Sequence, residues 1–210
     1  MTQRTEFEVL KVGLKNRSYE IFIGSDLTKR AGELILPLLK RKRVTIVTDN
    51  FVGSSYMREL ESSLRECGVL VDCLILEPGE ASKSWKTLEQ VVEWLIEKKI
   101  ERDDFIIAFG GGVIGDIVGF ASSIVRRGVS MIQFPTTLLA QVDSAVGGKT
   151  GINSRYGKNL IGTFHQPKLV VSDISVLGSL SERNWLSGYS EVVKYGLIGD
   201  RDFFMWLEKN

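Results

Sequence analysis

The chain has 210 residues, with 27 lysines and arginines against 26 aspartates and glutamates, for a net charge of +1. That length suffices for one well-buried domain, or one domain and part of a second, and the balanced charge gives no footprint for nucleic acid and no acidic tail. Two cysteines, Cys67 and Cys73, form no disulfide framework and lack metal-motif spacing, which points to a reducing compartment. The first residues, Met-Thr-Gln-Arg-Thr-Glu, are polar, and no apolar run reaches the roughly 18 residues needed to cross a bilayer. The expectation is a soluble, cytoplasmic globular protein without membrane partners.

In chain order, residues 6–12 and 19–23 read as a hairpin, with Gly13 and Asn16 between them. Leu27–Lys40 has helical character, weakened or bent near Pro37. Val44–Thr48 is a buried strand ending at Asp49. Val52–Cys67 is helical in spacing and is closed by Gly68, and Val69–Leu76 makes the next strand. After the polar loop Glu77–Lys83, residues Trp85, Leu88, Val91, Val92, Leu95 and Ile96 follow a helical stripe, with Ser84 placed as N-cap.

Phe105–Phe109 is a short apolar run leading into Gly110, Gly111 and Gly112, and an apolar-spaced segment free of proline follows over Val113–Arg126. Strand, tight turn and helix are the reading. Gly110, Gly112 and Gly115 keep the G-x-G-x-x-G spacing, in which the missing Cβ atoms let the chain turn sharply and let a phosphate approach the amide groups that open the helix. Alone, this pattern also suits a helix packed closely on a strand. A dinucleotide fingerprint further requires an acid about 20 residues on to hold the ribose. That window, Met131–Thr137, contains none. Either the glycines are not a nucleotide site or the ribose is held from upstream, by Asp49 or Glu80, which both follow predicted strands.

Strand and helix continue to alternate through Val129–Phe134 and Thr137–Val146, which argues for a parallel sheet covered by helices. Asp49, Glu80, Gly110–Gly112 and Thr136–Thr137 all fall at carboxyl ends of its strands, where ligands of such sheets bind. This convergence favours the nucleotide reading with the upstream acids. From Gly147 the chain becomes glycine-punctuated and basic, through Gly147–Asn153 and Gly157–Gly162. A P-loop is excluded, because Asp143 stands where its first glycine belongs and a helix, not a strand, precedes it. Lys149, Lys158 and Asn159 near Asp143 suit a phosphate or carboxylate ligand. Val170–Ile174 is a last strand. Ser181–Gly188, Ser190–Leu197 and Arg201–Lys209 read as short helices, so the expected division is an α/β unit over 1–178 and the start of an all-helical unit over 179–210.

Four stretches together are specific: Gly110–Ala121, Phe134–Thr150, Gly157–Gly162 and Glu191–Gly196. In this order they closely resemble the 3-dehydroquinate synthase family, over nearly the whole chain, although the family's pattern continues well past residue 210. The resemblance implies a Rossmann-like NAD-binding domain with an N-terminal hairpin, followed by a helical metal and substrate domain. The implied activity is an NAD-dependent lyase, using a divalent metal such as zinc or cobalt, that converts 3-deoxy-D-arabino-heptulosonate 7-phosphate to 3-dehydroquinate and phosphate in the shikimate pathway. A sugar-phosphate substrate and a homodimer go with it.

Residue by residue, the resemblance puts cofactor sugars at Gly79, Glu80 and Lys83, beside the Asp49 that its strand end already makes a cofactor candidate, and the pyrophosphate at Gly111, Gly112, Val113, Ile114, Gly115 and Asp116. Thr136 and Thr137 would line the cofactor, as would Lys149, Lys158, Val176, Leu177, Gly178 and Ser179. Asp143, Lys149, Asn159 and Arg127 match catalytic, substrate-side positions. Glu191 matches the first metal ligand, while the family's two histidine ligands lie beyond residue 210, and His165 falls in a loop without a metal role. A catalytic zinc takes about three protein ligands, so the chain as given is expected to be catalytically incomplete. Phe51 and Ser181 depart from common family residues, Asn and Pro. The rival readings are another sugar-phosphate cyclase, a polyol dehydrogenase, or a stand-alone NAD-binding module.

Overall fold

The strand Phe105–Gly110 is buried along its whole length, and the rest of the chain is layered around it. The computed structural model describes residues 7–210; residue 6, placed in the first strand by the sequence, lies outside the described residues. In chain order the strands are β1 (Glu8–Val12), β2 (Tyr19–Gly24), β3 (Arg43–Asp49), β4 (Leu70–Leu76), β5 (Phe105–Gly110), β6 (Ser130–Pro135), β7 (Lys149–Ser154), β8 (Gly157–Phe164) and β9 (Leu169–Asp173). The α-helices are α1 (Ala31–Ile35), α2 (Asn50–Glu66), α3 (Trp85–Glu97), α4 (Gly112–Ile124), α5 (Glu182–Gly199) and α6 (Arg201–Leu207).

Among the described residues, seven strands form one sheet in the order β1-β2-β9-β6-β5-β3-β4. All its pairings are parallel except β1 with β2. The N-terminal hairpin is therefore part of the main sheet, because β2 pairs with β9 from Glu20–Leu169 to Gly24–Asp173. Both faces are covered, which explains why the central strands read as unbroken apolar runs. Phe105, Ile107 and Phe109 join Ile46, Leu60, Leu64 and Phe134 on one face under α1 and α2. Ile106 and Ala108 point the other way, to Leu88, Val91, Leu95, Ile117 and Val118 of α3 and α4. Each such fully buried aliphatic or aromatic side chain contributes about 1.5–3 kcal/mol.

The local signals read from the sequence hold at several ends. Asp49 caps α2 by accepting from the Val52 amide at 2.9 Å. Gly68, at φ +74°, closes α2, and Ser84 caps α3 by accepting from the Thr87 amide. Four segments differ from expectation. Residues 27–40 are not one helix but a 3-10 turn, the five-residue α1 and a second 3-10 turn whose start holds Pro37. The helix expected over Thr137–Val146 is mostly a π-helical turn, Ala140–Ser144. The glycine-punctuated stretch after it forms the antiparallel hairpin β7–β8. Finally, the two helices expected over 181–197 are one, α5, running unbroken through Gly188.

This hairpin explains why α4 is apolar nearly all round. The sheet covers one side of the helix and β7 lies against the other, so closely that a Cβ on Gly119 would come within 2.3 Å of Thr150 Cγ2. Connections set the position of the site. From β3 the chain passes through α2 to β4 on one side, whereas from β5 it passes through α4 to β6 on the other. The carboxyl ends of β3 and β5 thus flank the topological switch point, where open α/β sheets bind ligands. Asp49 and the Gly110–Gly112 turn stand there.

Candidate active site

At the end of β5 the glycines serve distinct steric purposes. A Cβ on Gly110 would lie 2.6 Å from Ile114 Cγ1, so this glycine lets the first turn of α4 fold back on the strand. Gly111 is the N-cap residue of α4, and a Cβ there would meet Thr137 at 3.1 Å. On Gly112 it would lie 2.8 Å from Ser144 Oγ, and on Gly115 it would lie 3.1 Å from Gln133 Oε1. Gly112 is therefore required by the π-helical turn packed over it as well as by any ligand approaching the helix. Ile114, 1% exposed in the core, can offer a ligand only main-chain groups, whereas Val113 is half-buried against that core.

Two hydroxyls beside the turn are buried without a hydrogen-bond partner, those of Thr136 and Ser144. Thr136 follows β6 directly, and its amide bonds the Gly110 carbonyl at 3.0 Å. An unpaired buried hydroxyl costs on the order of 1–3 kcal/mol, and such costs are retained where a ligand completes the bond. The Thr137 hydroxyl instead accepts from the Ala140 amide at 3.2 Å and starts the next helical turn. Gln141 ties that turn to the sheet, its side-chain amide donating to the carbonyls of Pro135 and Asp173.

Between α4, the π-helical turn and the hairpin lies a cleft of about 510 Å³, within the size range of small-molecule sites. Asp116, Asp143, Ser144, Lys149, Asn159 and Thr163 are among the residues lining it. Lys83 stands behind this wall, only 5% exposed. Its ammonium bonds Asp116 Oδ2 at 2.5 Å and also donates to Asn159 Oδ1. Burial pushes the Asp116 carboxyl above its ordinary range; the Lys83 ammonium pulls it back down, and Glu80 and Asp143 push it up again. Lys149 is exposed and, among the described residues, makes no ion pair, so its charge is available to an anion in the cleft.

Glu80 lies in the loop after β4, where Gly79 at φ +100° turns the chain. Its Oε1 accepts from Asn153 Nδ2 at 2.8 Å and stands 3.9 Å from the exposed Lys158 ammonium. Val176, Leu177, Gly178 and Ser179 form a 3-10 turn after β9, held against α2 by a bond from Tyr56 to the Val176 carbonyl at 3.2 Å. Among the described residues, only one oxygen of the Asp49 carboxylate is engaged, in its cap. Arg127 is placed elsewhere: at φ +62° in the turn after α4, it is exposed at the amino end of the sheet and does not line the cleft.

Glu191 projects from α5, which approaches the π-helical turn so closely that a Cβ on Gly188 would lie 2.5 Å from the Leu139 amide nitrogen. Its Oε1 accepts from Lys194 at 2.6 Å, and Tyr195 donates to the Val142 carbonyl at 3.1 Å. That bond with Glu191 chiefly raises the Lys194 pKa, and Asp143 adds to it; at Tyr195 desolvation is the first cause that raises the pKa, followed by Asp143. Among the described residues no three His, Cys, Asp or Glu side chains gather as a metal site. His165 does not complete one. Its Nε2 is taken up by the Val129 carbonyl, 3.0 Å away and just before β6, although the neighbouring Phe164 lines the cleft.

The sequence reading missed Ser144, Asn153, Gln141 and Lys194. Ser144 and Lys194 stand beside residues that it named, Asp143 and Glu191 with its Glu-Val-Val-Lys run. Asn153 and Gln141 carried no local signal, because each owes its place to a distant partner as well as to one six residues away: Glu80 for Asn153 and Asp173 for Gln141.

Residues 73–187 match the model of the 3-dehydroquinate synthase N-terminal family. The 3-dehydroquinate synthase of Roseobacter denitrificans is 57% identical over 97% of this chain and 55% of its own length. That of Ruegeria sp. is 55% identical over 97% of this chain and 54% of its own. Among solved structures, a 2-epi-5-epi-valiolone synthase from Streptomyces hygroscopicus with NAD+ and Zn2+ bound superposes with a TM-score of 0.86 at 33% identity, over 94% of this chain and 54% of that one. A 2-deoxy-scyllo-inosose synthase complexed with carbaglucose-6-phosphate, NAD+ and Co2+ gives 0.84 at 27% identity, over 91% and 52%. The chain spans about half the length of the relatives it matches. With more than half of its residues inside that family model, the chain belongs to the 3-dehydroquinate synthase family.

Proposed function

We propose that this chain forms the NAD-binding part of a 3-dehydroquinate synthase, the lyase that converts 3-deoxy-D-arabino-heptulosonate 7-phosphate to 3-dehydroquinate and phosphate. The observation that carries the reading is the Gly111–Gly112 turn, which opens α4 at the switch point with the unpartnered Thr136 hydroxyl beside it. Main-chain amides of Gly112 and Val113, with the helix dipole behind them, would hold the pyrophosphate. Asp49 and Glu80 each keep an oxygen for the ribose hydroxyls, which answers the absence of an acid downstream of the glycines. The 3-10 turn Val176–Ser179 would border the adenosine end. NAD supplies a transient oxidation and re-reduction of a substrate alcohol, with no net redox change.

In the same reading Lys149, Asp143 and Asn159 face the sugar phosphate across the cleft. Lys83 supports them from behind: two of its three N–H groups are committed to Asp116 and Asn159, so positioning is its first role. Glu191 provides one carboxylate for a divalent metal, and the described residues do not complete a metal site, so the chemistry assigned to this chain is cofactor and anion binding. Residues 179–210, which form α5 and α6, open a separate helical unit in this reading. A homodimer in the cytoplasm, contacting no nucleic acid, goes with this proposal, and sedimentation of the purified chain checks the dimer. Curated relatives above 50% identity favour this activity over those of the cyclases matched at 27–33%.

The test is calorimetric titration with NAD and, separately, NADP. Micromolar or weaker NAD binding is expected, with NADP weaker by at least about tenfold, because a ribose 2′-phosphate would be brought against an acidic pair. No affinity for either would remove the nucleotide assignment, and equal affinity for the two would remove Asp49 and Glu80 from the ribose.

A further inference from the structure

Asn153, near the end of β7, makes three hydrogen bonds to two separate parts of the site. Its main-chain amide donates to the Lys83 carbonyl at 2.9 Å. Its side-chain Nδ2 donates to Glu80 Oε1 at 2.8 Å, and its Oδ1 accepts from the Asn159 main-chain amide at 2.9 Å. Asn159 sits at φ +58°, in the left-handed region, and its own Oδ1 accepts from Lys83. Both the main chain and the side-chain oxygen of Asn159 are thereby fixed, which leaves its Nδ2 group as the donor for a ligand in the cleft it lines. Glu80 is likewise held through one oxygen, with the other left to accept.

We propose that Asn153 is a positioning residue that couples the cofactor-side carboxylate of Glu80 to the substrate-side residue Asn159, so that filling one subsite reorients the other. This rests on the NAD reading above. The physical basis is that one rigid amide group carries both bonds. A ligand that draws Glu80 toward itself rotates the Asn153 amide about a side chain with only two torsions, and the Oδ1 that receives the Asn159 N–H moves with it. Lys83, bonded to Asp116 and Asn159 and offering its carbonyl to Asn153, closes the network into a ring, and hydrogen bonds in such networks reinforce one another.

The experiment is amide NMR of the 210-residue chain titrated with NAD. In the native protein the amide signals of Gly112 and Asn159 should both move and saturate at the same NAD concentration. Asn153→Asp keeps the main-chain bond to Lys83 and the acceptor for Asn159, but turns the contact with Glu80 into one between two carboxylates. In that variant, at saturating NAD, Gly112 should still shift while the response of Asn159 should fall at least threefold. Glu80→Ala cuts the same link from the other side without changing a hairpin residue, and should give the same separation; it also removes the exposed 3.9 Å contact to Lys158. An Asn159 shift undiminished in both variants, or absent in the native protein while Gly112 responds, overturns the coupling. If Gly112 itself does not respond in the native protein, the NAD reading fails and the coupling with it.

Discussion

Replacing Lys83 by methionine keeps most of the side-chain volume and removes the ammonium that pairs with Asp116. The two side chains are 5% and 18% exposed. Deleting one member of a buried ion pair costs on the order of 3–5 kcal/mol, because the other charge stays buried without its partner. Water reaches part of Asp116, so a loss of about 3 kcal/mol, at the lower end, is expected for Lys83→Met. The loss should depend on pH. Burial holds the Asp116 carboxyl above its ordinary range even with Lys83 present, so the folded state binds this proton more readily than the unfolded chain. Its contribution is then most favourable in acid and is lost as pH rises through the folded pKa. Removing the ammonium raises that pKa further, so the deficit should be larger near neutral pH than in mild acid. Urea unfolding between about pH 5 and about pH 8 measures both effects. The double variant Lys83→Met, Asp116→Leu should recover most of the stability, since an apolar pair can replace a buried ionic one. A loss below about 1 kcal/mol with no pH dependence would show the pair to be no more than a surface contact and refute the reasoning.

Three further outcomes are expected. Gly112→Ala puts a Cβ against Ser144 Oγ and against the phosphate approach; adding Ser144→Ala should restore thermal stability while NAD affinity, read by calorimetry, stays down by about tenfold or more. Lys149→Ala should change stability by no more than about 0.5 kcal/mol, as for an exposed side chain without partners, yet weaken binding of a sugar-phosphate analogue by about tenfold. At His165, burial chiefly lowers the pKa, opposed by the Val129 carbonyl and assisted by Lys168. The folded state therefore disfavours the imidazolium, and the stability that neutral His165 contributes should be lost as pH falls below about 6.5. His165→Gln should lack that acid-side loss in thermal unfolding.

What could be read in advance divides by range along the chain. Short-range signals were sufficient for β5, the glycine turn and α4, because burial, sterics and capping act there within a few residues. Asp49, Ser84 and Gly68 delimit helices in the structure as their side chains and backbone freedom suggested. The hairpin β7–β8 was hidden because its glycines serve the partner strand: a Cβ on Gly162 would lie 1.9 Å from the Thr150 carbonyl oxygen, a contact between residues 12 apart. For the same reason Gly188 looked like a helix end. It is instead the place where α5 meets Leu138 and Leu139. The cleft followed this pattern too. Asp116, Asp143, Lys149 and Asn159 were recognisable as chemical types in a motif, whereas Lys83 as their buried support depends on a contact 33 residues away to Asp116 and another 76 away to Asn159. Arg127 shares the motif-bearing region in sequence, yet α4 carries it to the far end of the sheet.

In the proposed site the helix opened by Gly111 and Gly112 holds the dinucleotide pyrophosphate. Crystals of the chain soaked with NAD test it most directly. Pyrophosphate oxygens should lie about 3 Å from the amide nitrogens of Gly112 and Val113, with a ribose hydroxyl on Glu80 or Asp49 and the Thr136 hydroxyl newly bonded. Clear density for NAD away from the β3–β5 crevice, with those amides still facing solvent, would contradict it.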